Sequence, residues 1–108
     1  MTLKERIKVV FRDLRRNGFI ARMNLENSNK DNINIILNEY NKSDKKAIGV
    51  VFCTKQDMTK NKINIRYFHP ENNDKKIIVG KEICKQLDLH CLDYEWNGNS
   101  METIIVHG

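Results

Sequence analysis

The strongest structural signal in the chain lies in TLKERIKVVFRDLRRNG, residues 2–18. Apolar side chains recur in it at the three- and four-residue spacing of one helix face: Leu3, Ile7, Val10, Phe11 and Leu14. Thr2 and Glu5 have the spacing of a capping box, and Gly18 is the residue type that ends helices in a left-handed conformation. The segment therefore predicts an amphipathic helix over residues 2–17 that packs its apolar face on a core.

The same segment holds the charge imbalance of the chain. Residues 1–22 contain seven basic and two acidic side chains, and their net charge of +5 equals that of all 108 residues. Five of the basic residues form a stripe beside the apolar face: Lys4, Lys8, Arg12, Arg15 and Arg16. Charge concentrated on one helix favours binding of an anionic partner. The simpler interpretation is a helix face that is only solvated, because Lys and Arg are strong helix formers.

Further along the chain, helical and β-type segments follow one another. Residues 19–24 read as a short extended piece. Residues 31–41 predict a second helix, although Ile33, Ile35 and Leu37 would also alternate as a strand, and residues 77–89 predict a third helix. The predicted strands cover residues 47–54, 62–68, 92–96 and 103–106, with a turn at Asn97-Gly98. This order predicts a single α+β domain over residues 1–108, with about four antiparallel strands packed on one face against about three helices.

The composition of the chain indicates where in the cell the protein is located. The chain has no apolar run of the roughly 18–20 residues that a membrane span needs, and its basic N-terminus lacks the apolar core of a secretory signal. Cys53, Cys84 and Cys91 are an odd number of cysteines at irregular spacing. These features favour a reduced, cytoplasmic location without membrane contact.

The sequence contains no motif for binding a metal or a cofactor. The candidate ligands are Cys53, His69, Cys84, His90 and Cys91, and their spacings match none of the usual structural zinc sites. The five glycines are isolated from one another, so no glycine-rich phosphate-binding loop is present. We expect neither a metal nor a cofactor.

Catalysis would depend on Cys53 and His69. The two residues would form a thiolate–imidazole pair if neighbouring strands placed them on the same side. The simpler interpretation makes Cys53 a core residue and His69 a turn residue before Pro70. The sequence therefore favours a binding module over an enzyme, with a thiol-dependent enzyme as the third hypothesis for function.

Tyr94 and Trp96 indicate a way to bind another protein. They lie two residues apart on a predicted strand and share one face, so they either pack under the helices or anchor a protein partner. The segment 103–106 would pair with a partner or a second copy if it formed an edge strand. Our first hypothesis is a small protein-interaction module, an inhibitor or accessory factor of bacterial or mobile-element origin. The second is a binder of nucleic acid or another polyanion through the stripe on the first helix.

The block FRDLRRNGFIARMN, Phe11–Asn24, resembles the opening of a family of small, uncharacterised bacterial proteins. Gln56-Asp57 after a strand, a helix ending at Leu89, and the turn Glu95-Trp96-Asn97-Gly98 extend the resemblance over most of the chain. The resemblance implies a shared fold and no particular activity. Members of that family carry a cysteine-rich stretch after the asparagine, where this chain has LENSN, residues 25–29. No site residue follows from the resemblance.

Overall fold

The first helix forms where the sequence predicts it. In the computed structural model, which describes residues 1–25, 30–44, 46–99 and 103–108, α1 spans Leu3–Arg16. The Thr2 hydroxyl accepts a hydrogen bond from the Glu5 backbone N–H at 3.1 Å, and the Glu5 carboxylate accepts one from the Thr2 backbone N–H at 3.2 Å. Gly18 follows the helix with φ of 95°. All five apolar side chains of the predicted face are buried, which confirms the amphipathic helix.

In the described part of the chain, two further helices and five strands complete the domain. The helices are α2, Lys30–Lys42, and α3, Lys76–Leu89, which continues a short 3-10 turn at Asn73–Lys75. The strands are β1, Ile20–Leu25; β2, Val50–Thr54; β3, Lys62–Phe68; β4, Asp93–Glu95; and β5, Ile104–His107. They form one sheet in the order β1-β2-β3-β5-β4. The predicted α+β class is confirmed.

The sheet differs from the prediction in being mixed and five-stranded. The extended piece at residues 19–24 becomes β1, which pairs with β2 in parallel, while the other described pairs are antiparallel. A parallel pair requires a crossover connection, and the chain between β1 and β2 supplies α2 for it. The strand predicted at residues 103–106 as an edge lies inside the sheet as β5, so the edges are β1 and β4.

The helices cover both faces of the sheet, not one face as predicted. Ala21, Val51 and Cys53 point to the side of α1 and α3 and join the larger core. Ile20, Val50 and Phe52, which alternate with them, point to the other side of the sheet. There they form a smaller core with Ile36 and Tyr40 of α2. The crossover helix α2 therefore covers β1 and β2 on the face opposite to α1. This arrangement leaves the outer edge of β1 beside α1 without a strand partner among the described residues.

Gly80 allows α3 to approach the end of β4 closely. A methyl group at Gly80 would lie 2.6 Å from Trp96 Cζ2 and 3.2 Å from Tyr67 Cε2. The two aromatic rings pack edge to face at 6.1 Å, and Trp96 Nε1 donates to the Tyr67 hydroxyl at 2.8 Å. Any side chain at position 80 must therefore displace a ring that is held by a hydrogen bond.

We expect Gly80→Ala to lower the free energy of unfolding by about 1–2 kcal/mol, because overpacking outweighs the gain in helix propensity. Urea denaturation followed by circular dichroism measures the change. Glu82→Ala, at an exposed position of the same helix, is the control and should stay within about 0.5 kcal/mol of wild type. A Gly80→Ala protein as stable as wild type would show that Trp96 moves aside at no cost.

Candidate functional site

The predicted stripe of cations on α1 is exposed, and the structure divides it into two groups. Lys4, Lys8 and Arg15 lie on the side of the helix that faces β1 and line one cleft with it. Arg12 Nε and Arg16 Nη1 lie 3.5 and 3.9 Å from Asp13 Oδ1, and Arg16 also lines a neighbouring cleft with Arg15. The first group is therefore placed at the sheet edge, while a carboxylate of the same helix partly offsets the second group.

One cation of the N-terminal segment has a structural role. Arg6 Nη2 donates to the backbone carbonyls of His90 and Cys91 at 3.2 and 3.1 Å, at the C-terminal end of α3. Beside it, His90 Nε2 lies 2.8 Å from Asp13 Oδ2, and this hydrogen bond lowers the pKa of Asp13. These contacts fasten α1 to α3, so Arg6 does not contribute to the surface beside β1.

Two guanidinium groups converge on one backbone carbonyl at the edge of the sheet. Arg15 Nη1 and Arg22 Nη1 both donate to the Ala21 carbonyl oxygen, at 3.1 and 2.9 Å. Arg22 also pairs with Glu39 of α2. Because β1 is an edge strand, this carbonyl would otherwise be open to pairing with another chain. The two arginines therefore cover the edge and place two like charges close together.

Three adjoining clefts run along the edge of β1. Their volumes are about 580, 480 and 670 Å³. The first and second share Lys4 and Asn24, and the second and third share Arg15. We call them together the basic channel, because eight basic side chains line them: Lys4, Lys8, Arg15, Arg16, Arg22, Lys46, Lys55 and Lys60.

Acidic side chains offset little of this charge. Among the described residues that line the channel, only Glu5 and Glu39 are acidic. Glu5 is engaged by Thr2, whose backbone and hydroxyl hydrogen bonds lower the pKa of Glu5, and Glu39 is paired with Arg22. The channel therefore keeps a net positive charge and an excess of hydrogen-bond donors at neutral pH.

The floor of the channel is apolar. Ala21 is buried, and Met23 and Met58 are half-buried against the larger core. The aromatic residues among the described lining are Phe19 and Tyr40, which are only 6 % and 2 % exposed. Cations thus surround a strip of small and flexible aliphatic groups, with no aromatic ring presented for stacking by the described residues.

A buried ionic cluster positions the loop that carries Lys55 and Lys60. Asp57 Oδ2 accepts hydrogen bonds from the Thr54 backbone N–H at 2.9 Å and from the Thr54 hydroxyl at 3.0 Å. Arg66 of β3 binds the same carboxylate through Nε and Nη2, at 2.9 and 3.1 Å. Burial by itself would raise the pKa of Asp57, but these hydrogen bonds together hold it below its ordinary value of 3.8.

We expect Asp57→Asn to lower the free energy of unfolding by about 2 kcal/mol at pH 7, since hydrogen bonds to a charged group are lost. Because the pKa of Asp57 is depressed in the folded state, the wild-type advantage is complete above about pH 5. This advantage declines as the pH falls through the ordinary carboxyl pKa of 3.8 toward the lower pKa of Asp57 in the folded protein.

Urea denaturation of both proteins between pH 7 and pH 2.5 measures this difference. Asp74→Asn, at an exposed position, is the matched control and should behave like wild type at every pH. A difference between Asp57→Asn and wild type that stays constant down to the lowest pH would contradict the role of the ionised carboxylate.

The residues proposed to anchor a protein partner are half-buried. Trp96 packs over Gly80 and donates to Tyr67, and the Tyr94 hydroxyl donates to Asp88 at 3.2 Å. Both rings pack against the larger core. The exposed large apolar residues in the described part of the chain lie elsewhere, on four separate segments: Met1, Ile35, Ile48, Ile77, Ile78 and Leu89.

The structure does not bring Cys53 and His69 together. The β2–β3 register pairs Phe52 with Arg66, which sets Cys53 level with residue 65, four positions or roughly 13 Å along the strand from His69. Burial raises the pKa of the Cys53 thiol to about 11. His69 Nδ1 accepts hydrogen bonds from the backbone N–H groups of Glu71 and Asn72, as a turn residue does. Within the described residues, no group of three or more His, Cys, Asp or Glu side chains could hold a metal ion.

Four cations of the channel were not among the predicted site residues. Arg22 belongs to the charged N-terminal segment, but strand alternation with Ala21 directs it to the side of α2, and only its hydrogen bond to the Ala21 carbonyl brings it to the edge of the sheet. Lys46, Lys55 and Lys60 come from loops that the fold brings to the channel, and no local signal in the sequence identifies them.

The fold and the channel define a small α+β protein with a concentration of cations along one edge of a mixed sheet. The chain belongs to the family described as "Domain of unknown function (DUF6891)", which it matches over residues 1–108. This match confirms the predicted membership of an uncharacterised family. No curated protein and no solved structure matches the chain significantly. Within the described residues, no helix has the length and apolar character that crossing a membrane requires.

Proposed function

We propose that this protein is a non-catalytic binding module that holds an extended polyanion in the basic channel. The observation that carries the proposal is the charge of the channel: eight basic and two acidic side chains line three adjoining clefts among the described residues. A polyanion that lies along these clefts would contact many cations at once. Each contact releases counterions, so binding gains free energy that falls as salt rises.

The arrangement of Arg15 and Arg22 supports this function. Hydrogen bonds to the Ala21 carbonyl hold both guanidinium groups in place. A guanidinium has five N–H donors, so Arg15 retains donors for a bidentate contact with a carboxylate or a phosphate, whereas Arg22, which also binds Glu39, retains fewer. Because these side chains are already ordered, less conformational entropy is lost on binding than with free side chains.

The other two hypotheses have weaker support. Tyr94 and Trp96 pack against the core, so an interface centred on them would offer little apolar area to a partner. The Cys53 thiol is buried and remains protonated near neutral pH, which does not favour a nucleophilic role. Binding through the basic channel is compatible with a role as an inhibitor or accessory factor, because either would act by binding a partner molecule.

We expect Lys8→Glu combined with Arg15→Glu to weaken polyanion binding at least about tenfold near 50 mM salt. The plot of log K against log salt should become shallower by about 1.5, since two cation contacts are lost. Fluorescence anisotropy with labelled polyglutamate and with a labelled single-stranded oligonucleotide measures both quantities.

The matched control is Lys81→Glu with Lys85→Glu, which makes the same charge change at exposed positions of α3 that do not line the channel. It should retain most of the affinity. Equal losses of affinity in the two double variants would mean that the net charge of the protein, and not the channel, causes binding. Failure of the wild-type protein to bind either probe at low salt would refute the proposed function.

A further inference from the structure

We propose that the occupant of the basic channel is an acidic polypeptide segment in extended conformation. Its carboxylates contact the cations of α1 and β1, and the apolar side chains between them contact the floor. This inference rests on the proposed function and specifies the chemistry of the partner.

The floor of the channel favours a peptide over a nucleic acid. Proteins that bind single strands stack the bases on exposed aromatic rings, but the aromatic residues in the described lining, Phe19 and Tyr40, are buried. Met23 and Met58 offer instead flexible thioether side chains, which adapt to aliphatic groups of different shape. A chain that presents small apolar side chains between its charges fits this surface better than one that presents large flat bases.

The dimensions also suit an extended peptide. Lys4 and Lys8 are separated by four residues of α1, a rise of about 6 Å. Alternate residues of an extended peptide are about 6.6 Å apart, so acidic side chains at every second position would meet successive cations. Strand β1 has six residues and is roughly 20 Å long. About six residues of an extended partner would lie beside it.

The contacts at Ala21 indicate how the peptide is recognised. Addition of a strand to a sheet edge needs free backbone groups, and the Ala21 carbonyl is occupied by Arg15 and Arg22. At this position the peptide would meet guanidinium groups in place of a backbone acceptor. Recognition therefore depends mainly on side chains, with the two arginines binding carboxylates, and continuous strand pairing is not required.

Three fluorescent probes of equal charge test the inference on the full chain. The first is a peptide of about twelve residues with Glu at every second position and Met or Ala between. The second replaces Met and Ala by Ser, and the third is a single-stranded oligonucleotide. Near 50 mM salt we expect the first probe to bind at least about fivefold tighter than either of the others, because only it buries apolar side chains on the floor.

The variant Met23→Gln makes the test specific to the floor. It should reduce the preference for the first peptide over the Ser peptide to about twofold or less, because the apolar contact with the floor is lost. Ile78→Gln, at an exposed apolar position of α3 outside the channel, is the control and should keep the full preference. Thermal melting of both variants checks that the fold is intact.

The outcomes separate this inference from the proposed function. If the oligonucleotide binds as tightly as the first peptide or more tightly, the inference is overturned and polyanion binding stands. If the two peptides bind equally, the floor has no role and the inference is again overturned. If no probe binds, the proposed function itself fails.

Discussion

The packing of the apolar face of α1 against the sheet is the constraint on which the rest of the molecule depends. Five side chains of this helix are buried, and each contributes on the order of 1.5–3 kcal/mol when removed from water. The helix cannot rotate about its axis without exposing some of them, so its angular orientation is fixed. That orientation places Lys4, Lys8 and Arg15 beside β1. The position of the charge therefore follows from the burial of the apolar residues.

An exposed sheet edge and a row of cations would each be a liability alone. An open edge invites pairing with other chains, and like charges held close together repel one another. In this structure Arg15 and Arg22 cover the Ala21 carbonyl, which blocks pairing there, and Glu39 compensates part of the charge of Arg22. Among the described residues that line the channel, basic side chains outnumber acidic ones by eight to two. The same groups that protect the edge of the sheet thus make it suited to an anionic partner.

The site could be predicted from the sequence only in part. The stripe on α1 was visible because helical periodicity places its members together, but the sequence did not show which of them face β1. Arg12 and Arg16 flank Asp13, and Arg6 fastens α1 to α3 through the carbonyls of His90 and Cys91. Lys55 and Lys60 reach the channel through a loop that the ion pair of the buried Asp57 with Arg66 holds in place. The contacts of Arg6 join residues more than 80 positions apart in sequence, so no local pattern reveals them.

Local signals in the sequence were sufficient for the capping box and apolar face of α1, the helix α3, the strands β2 and β3, and the concentration of charge in residues 1–22. The parallel pairing of β1 with β2, the position of α2 on the opposite face and the place of β5 inside the sheet emerged only from the folded structure. Periodicity specifies which side of an element is apolar, whereas strand order and the choice of face depend on how all the apolar surfaces are buried at the same time.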